Sequence, residues 1–228
     1  MIYRALTPSR YYTHATVKST ALAFGEGVRD AWEWQKGDIL AIYTLNDIDI
    51  PPVVYGALHA GGVVSPANPA YNAEELAFML SDSGAKSIVT QKALLPVALK
   101  AAEIAKLPND RIILLGEERD PEMRFKHFTS IRKISGTSRY RRRKLDPDRD
   151  LAFLAYSSGT TGLPKGVMLS HRNIIANVLM ITGSVGKYYS WDKDKFLGVL
   201  PLFHLYGKSM RWRHLCLSRA DRKGSCRG

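Results

Sequence analysis

The chain has 228 residues, of which 45% are hydrophobic and 24% charged, too apolar for a disordered chain. At roughly 150 residues per domain it holds one large domain or a domain and a half. The net charge of +12 is concentrated: seven Lys or Arg and one Asp fall in residues 208–228, and Arg139–Lys144 adds five cations, so the excess sits in two local runs and gives no expectation of specific nucleic-acid binding.

In chain order, Ile39–Tyr43 reads as a buried strand and Pro51–Ala60 as a small-residue helix with prolines where a first turn tolerates them. Gly61 and Gly62 stop that helix, and Val63–Ser65 begins the next strand. Asn72 is placed to cap a helix over Ala73–Asp82, with Glu75 completing a capping box, Leu76, Met79 and Leu80 on one face, and Gly84 as the stop. Ser87–Thr90 is a short strand, Leu94–Lys106 a helix and Arg111–Leu115 a strand. This alternation predicts an α/β domain with a mostly parallel sheet and flanking helices. Regularity is lost over Glu117–Asp150, which reads as a surface connection. Leu151–Tyr156 restores a buried strand, Ser170–Asn173 opens a helix to about Thr182, and Phe196–Leu200 is a further strand ended by Pro201. There is no internal repeat.

The segment Ser157–Gly166 carries the chemistry. It follows an apolar strand and holds four hydroxyl side chains, three glycines and one lysine in ten positions. Glycines let the backbone approach a polyanion with its N–H groups free, hydroxyls donate further bonds, and Lys165 brings a positive charge. A triphosphate needs these features, although composition alone fits a surface loop equally well. A Walker A loop is excluded because Pro164 stands where its second glycine belongs. The dinucleotide fingerprint fails because Gly159 and Gly162 have no glycine at the required offset.

The order of residues in Tyr156–Val167 resembles the signature loop of the adenylate-forming superfamily, which includes acyl-CoA synthetases, 4-coumarate–CoA ligases, luciferases and peptide-synthetase adenylation domains. Leu200–Gly207 resembles the family's second core motif, and Gly62–Pro69 with Tyr71 resembles the N-terminal part of the 4-coumarate–CoA ligase branch. In wording it is nearest to fungal acyl-CoA ligases of secondary metabolism, including toxin pathways. The resemblance implies part of the N-terminal domain of that fold and an ATP-dependent acid–thiol ligase lineage. A carboxylic acid would be activated through acyl-AMP, with ATP, Mg²⁺ and coenzyme A taking part. It places Ser157, Ser158, Gly159, Thr160, Thr161, Gly162 and Lys165 around the ATP phosphates, and His204 and Tyr206 between nucleotide and acyl substrate, with His204 as the candidate catalytic group. No metal ligands are assigned. Tyr188, Tyr189, Trp32, Trp34 and the Met79 face are expected to be packing or surface residues, and His171 structural, as a possible helix cap.

The expected organisation is an N-terminal α/β subdomain over 1–131 that starts late relative to the family, a basic connection over 132–150, the phosphate-loop and acyl-pocket segment of a second subdomain over 151–207, and a basic non-family tail over 208–228. That tail, and the shortness of the chain beside the family, lead to the expectation of a truncated member with weak or no adenylation. A non-catalytic ATP- or polyanion-binding fragment is the alternative. Only Cys216 and Cys226 are present, without disulfide or metal-ligand spacing, and no apolar run reaches the roughly 20 residues of a membrane span, so an intracellular protein is expected. The family analogy points to the peroxisome, but the ending Ser-Cys-Arg-Gly does not match a peroxisomal tripeptide, which leaves the cytoplasm.

Overall fold

The computed structural model describes residues 2–4, 10–133, 143–157, 164–185, 188 and 200–204. The chain opens with a hairpin of β1 (Ile2–Arg4) and β2 (Tyr11–Thr13). β2 leads directly into α1 (His14–Trp32). Thr13 caps it: the Thr13 hydroxyl accepts from the Thr16 N–H at 3.1 Å, and the Thr16 hydroxyl accepts from the Thr13 N–H at 2.8 Å. Val17, Ala21, Phe24, Val28 and Trp32 then fall on one buried face.

The α/β alternation follows as expected, with small shifts at the boundaries. It comprises β3 (Ile39–Tyr43), α2 (Ile50–His59), β4 (Val63–Ala67), α3 (Ala73–Ser83), β5 (Ser87–Thr90), α4 (Leu95–Ile104) and β6 (Ile112–Leu114). The Asn72–Glu75 capping box forms in both directions, and Gly84 ends α3 with a left-handed φ of 66°. The stretch expected to be irregular contains β7 (Lys126–His127) and a short helix, α5 (Phe128–Ile131). After it come β8 (Leu151–Ser157), β9 (Lys165–Ser170) and α6 (His171–Val185). Of the expected strand Phe196–Leu200, residues 196–199 lie outside the described residues, and Leu200 stands in a bend before Pro201.

One seven-stranded sheet runs β7-β6-β5-β3-β4-β8-β9, parallel throughout except for the β8–β9 pair. Alternate residues of the central strands feed two cores. Leu40 and Ile42 of β3, Val89 of β5 and Ile113 of β6 face Phe24, Val28, Trp34, Val53 and Phe128, so α1, α2 and α5 cover one side. Ala41, Tyr43, Ile88, Ile112 and Leu114 face Leu76, Met79, Leu80 and Ala98, so α3 and α4 cover the other. Burial on both faces makes these strands continuous apolar runs. Trp32 and Trp34 are buried packing residues, as is Met79, and Tyr188 is exposed; Tyr189 lies outside the described residues.

β3 hands the chain to α2 on one face and β4 hands it to α3 on the other. The chain steps from β3 to β4 on one side and then crosses back to β5 on the other, so the carboxyl ends of β3 and β5 flank a topological switch point, the place where open α/β sheets bind ligands. Pro66 lies within β4, opposite Ile42 of β3. Its missing N–H cannot serve a ladder, and pairing of β4 with β8 is limited to Val64 opposite Phe153. The Ser65 hydroxyl donates to the Leu154 carbonyl at 3.0 Å instead and keeps the two strands joined.

Candidate functional site

β8 runs parallel to β4, so it delivers Ser157 to the carboxyl edge of the sheet, next to the end of β4. β9 returns antiparallel, with Ser157 opposite Lys165 and Tyr156 opposite Gly166. The two ends of the signature segment thus stand side by side. Lys165 and Gly166, read from the sequence as part of the Ser157–Gly166 loop, are paired residues of β9, while residues 158–163 lie outside the described residues. The reason is local. The Tyr156 ring lies across the strand over Gly166, where an added Cβ would stand 3.3 Å from the ring and 3.0 Å from Leu154 Cδ1. Glycine opposite an aromatic residue thus lets the hairpin close tightly before the tip.

Tyr156 is also tied to α3, because its hydroxyl donates to Asp82 Oδ2 at 2.5 Å. Burial raises the tyrosine pKa above its ordinary value, and the hydrogen bond and charge of Asp82 raise it further, so the phenol stays a neutral donor. Behind β9, Ser170 caps α6. Its backbone N–H and hydroxyl both reach Asn173 Oδ1 at 2.9 Å, while the Asn173 N–H donates back to the Ser170 hydroxyl at 3.3 Å. His171, expected as a possible cap, is instead the first residue of that helix. Its N–H donates to the Asp150 carbonyl at 3.2 Å, and burial pushes its imidazole pKa down. Arg143, from the basic run, donates to the Trp34 carbonyl at 2.8 Å, and Lys36 pairs with Asp150 at 2.7 Å.

Ser157 and Lys165 are exposed at the mouth of the hairpin; Ser158, Gly159, Thr160, Thr161 and Gly162 lie outside the described residues, as do Tyr206 and the 208–228 tail. His204 stands exposed at the end of a turn in which its N–H reaches the Pro201 carbonyl at 3.2 Å. The turn is anchored by Leu202, which is buried in the same core as Phe24 and Phe153. It is also held by Asn46, just beyond β3. The strand ends that carry the two halves of the site, β3 and β8, are separated by β4 alone, about 10 Å at normal strand spacing.

A polar cluster fills the same edge further along. Asp49, fully buried at the start of α2, pairs with Arg10 and accepts from the Tyr12 hydroxyl at 2.8 Å. Asp47 accepts from the Asp49 N–H at 2.8 Å, and burial raises its carboxyl above the ordinary range. Sequence reasoning found neither this cluster nor Asn46, because polar residues after a strand read only as a turn. Among the described residues no group of three or more His, Cys, Asp or Glu gathers around a common point, and no helix is long and apolar enough to cross a membrane.

The hydroxyls, glycines and lysine of the Ser157–Gly166 segment are residue types that suit a polyphosphate. The profile of the AMP-binding enzyme family matches residues 2–218. A long-chain-fatty-acid–CoA ligase of Bacillus subtilis is 33% identical over 197 residues, covering 76% of this chain and 34% of the relative. A 4-coumarate–CoA ligase of Pinus taeda is 34% identical over 187 residues, covering 82% of this chain and 33% of the relative. The crystal structure of a long-chain-fatty-acid–CoA ligase from Archaeoglobus fulgidus superposes with a TM-score of 0.77 at 25% identity, over 95% of this chain and 40% of that one. The chain thus spans about a third of the length of these curated relatives. With its sheet, its hairpin and its sequence in agreement, the chain belongs to the AMP-binding enzyme family, the acyl-CoA and 4-coumarate–CoA ligase-like enzymes.

Proposed function

We propose that this chain carries the ATP-handling portion of an acid–thiol ligase. A carboxylate oxygen attacks the α-phosphorus of ATP, the bond to the bridging oxygen breaks, and pyrophosphate leaves. The thiol of coenzyme A then attacks the acyl carbon and AMP departs. The observation that carries this reading is the β8–β9 hairpin. It brings Ser157 and Lys165, the two ends of the signature segment, together at the carboxyl edge of the sheet next to β4, with its base fixed by the Tyr156–Gly166 pair.

In this assignment the backbone and hydroxyls of Ser157, Ser158, Gly159, Thr160, Thr161 and Gly162 hold the phosphates. Lys165, on a paired strand, offers its charge from a fixed base. Charge grows on phosphate oxygens as pyrophosphate leaves, so donors already in place lower the barrier most. Mg²⁺ would arrive with the nucleotide and neutralise part of that charge. His204 and Tyr206 are assigned to the junction of nucleotide and acyl group. The similarity to a long-chain-fatty-acid and a 4-coumarate–CoA ligase supports a fatty or aromatic acid as substrate, and the wording nearest to fungal ligases supports a role in secondary metabolism.

The test is acid-dependent exchange of labelled pyrophosphate into ATP across a panel of fatty and aromatic acids. Weak exchange at most, confined to one acid class, is expected, and Lys165→Ala should reduce it about 100-fold, the scale of removing one preorganised transition-state contact. ATP binding without exchange would overturn the catalytic part and leave a nucleotide-binding fragment. No ATP binding would overturn the whole reading.

A further inference from the structure

Asn46 makes two hydrogen bonds to a segment more than 150 residues away. Its Nδ2 donates to the Leu200 carbonyl at 3.0 Å, and its Oδ1 accepts from the Leu202 N–H at 2.7 Å. The side-chain amide therefore presents one donor and one acceptor to the backbone, as a neighbouring strand's peptide unit would. It straddles Pro201, which has no N–H of its own to give. The next turn of backbone ends at His204, whose N–H closes on the Pro201 carbonyl at 3.2 Å.

The base of the clamp is itself held. Gln91, at the end of β5, accepts from the Leu45 N–H at 3.0 Å, and Asp47 accepts from the Asp49 N–H at 2.8 Å. Both neighbours of Asn46 are thus pinned to the carboxyl edge. The buried Leu202 side chain anchors the segment in the core, but one side chain leaves the backbone free to rotate about it. The amide removes that freedom. Only asparagine has the required length with both a donor and an acceptor: aspartate would turn a carboxylate oxygen toward the Leu200 carbonyl, and glutamine is one methylene too long.

We propose that Asn46 is a positioning residue that fixes the Leu200–His204 turn against the carboxyl end of β3, and so sets where His204 meets the substrate. The placement of the turn stands on geometry alone. The consequence for substrate rests on the proposed acyl-AMP chemistry.

The experiment compares the full chain with Asn46→Ala and Asn46→Asp. Amide hydrogen exchange is read at Leu202 and across β3, the His204 ring resonances are followed by NMR, and half-saturation for acid and for ATP is taken from pyrophosphate exchange. In Asn46→Ala, Leu202 should exchange roughly five- to tenfold faster, the scale of one net hydrogen bond, with β3 unchanged. Asn46→Asp keeps the acceptor, so Leu202 should stay protected while the His204 resonances shift. Half-saturation for acid should rise about tenfold in both variants, with that for ATP within about twofold, because a displaced turn costs substrate contact worth about one factor of ten. Unchanged Leu202 exchange in Asn46→Ala would overturn the clamp, and so would equal acceleration across β3. Unchanged acid half-saturation, despite faster Leu202 exchange, would overturn its role in positioning substrate. A native chain without any exchange activity would count against the ligase reading, while the Leu202 amide would still decide the clamp.

Discussion

His127 shows how much a single side chain here is decided by its partners. Thr129 donates its N–H to His127 Nδ1 at 3.3 Å, and His127 Nε2 lies 2.9 Å from the Gly116 carbonyl, so the proton sits on Nε2 and the ring is neutral. Burial, the largest influence, lowers the pKa below the ordinary 6.5, and the nearby Arg119 lowers it further. With the folded value below the unfolded one, the stability from the neutral ring is complete above about pH 6.5 and is lost as pH falls toward the folded pKa. His127→Gln can keep both bonds without titrating. Its urea midpoint should therefore fall less between pH 7.5 and 5 than that of the native chain. His171, also pushed down by burial, titrates in the same window, so the slope should shrink rather than vanish. Asp150, whose pKa is lowered chiefly by its hydrogen bond from Lys36, loses its contribution only below its ordinary 3.8 and does not confuse this measurement. An equally steep fall in the variant would mean that His127 is not a source of the pH dependence.

Among the elements, α1 and α2 touch backbone to backbone. A Cβ on Gly25 would stand 2.5 Å from the Gly56 carbonyl oxygen, and one on Gly56 would stand 2.7 Å from the Ala21 oxygen. Backbone cannot rotate out of the way, so Gly25→Ala must separate the helices. Overpacking of about 1–3 kcal/mol should outweigh a helix-propensity gain of at most about 1 kcal/mol, a net loss of about 1–2 kcal/mol by urea denaturation. Gly183 in α6 is the counterexample, because a Cβ there meets nothing within 4 Å among the described residues. Gly183→Ala should stabilise by about 0.5–1 kcal/mol in the same measurement. Opposite signs from one substitution would establish that contact, not propensity, governs the first site. Glycines also explain why α1 was not legible in the sequence. Gly25 and Gly27 interrupt its polar–apolar repeat, and the partners that make them necessary are distant: Gly25 meets Gly56 of α2, and Gly27 meets the Ile131 carbonyl at the end of α5. α3, by contrast, was legible to within a residue, because its cap, its apolar face and its stop are all local.

For the molecule as a whole, legibility followed the same division between local and distant causes. Strands β3 to β6 were readable because burial on both faces leaves apolar runs. β7 has two residues and β9 exposes its first four, so neither leaves a pattern to read. The candidate phosphate loop stood out by the order of its residues, but not its base at Lys165, which depends on a cross-strand partner. That same β9 has β8 as its only paired neighbour, so among the described residues its other edge is unpaired. Val167 and Met168 are exposed on it, and Ile175, Leu179 and Met180 are exposed on the following helix. An open edge with exposed apolar residues pairs with other chains unless charge blocks it. Met168, 68% exposed, is the point where one charge would act at least cost to the fold. Met168→Lys should reduce the high-mass fraction seen by light scattering at matched concentration. Its denaturation midpoint should stay within the roughly 0.5 kcal/mol expected of a surface change. Unchanged scattering would place self-association elsewhere, whereas a large loss of stability would mean that Met168 packs in solution against part of the chain.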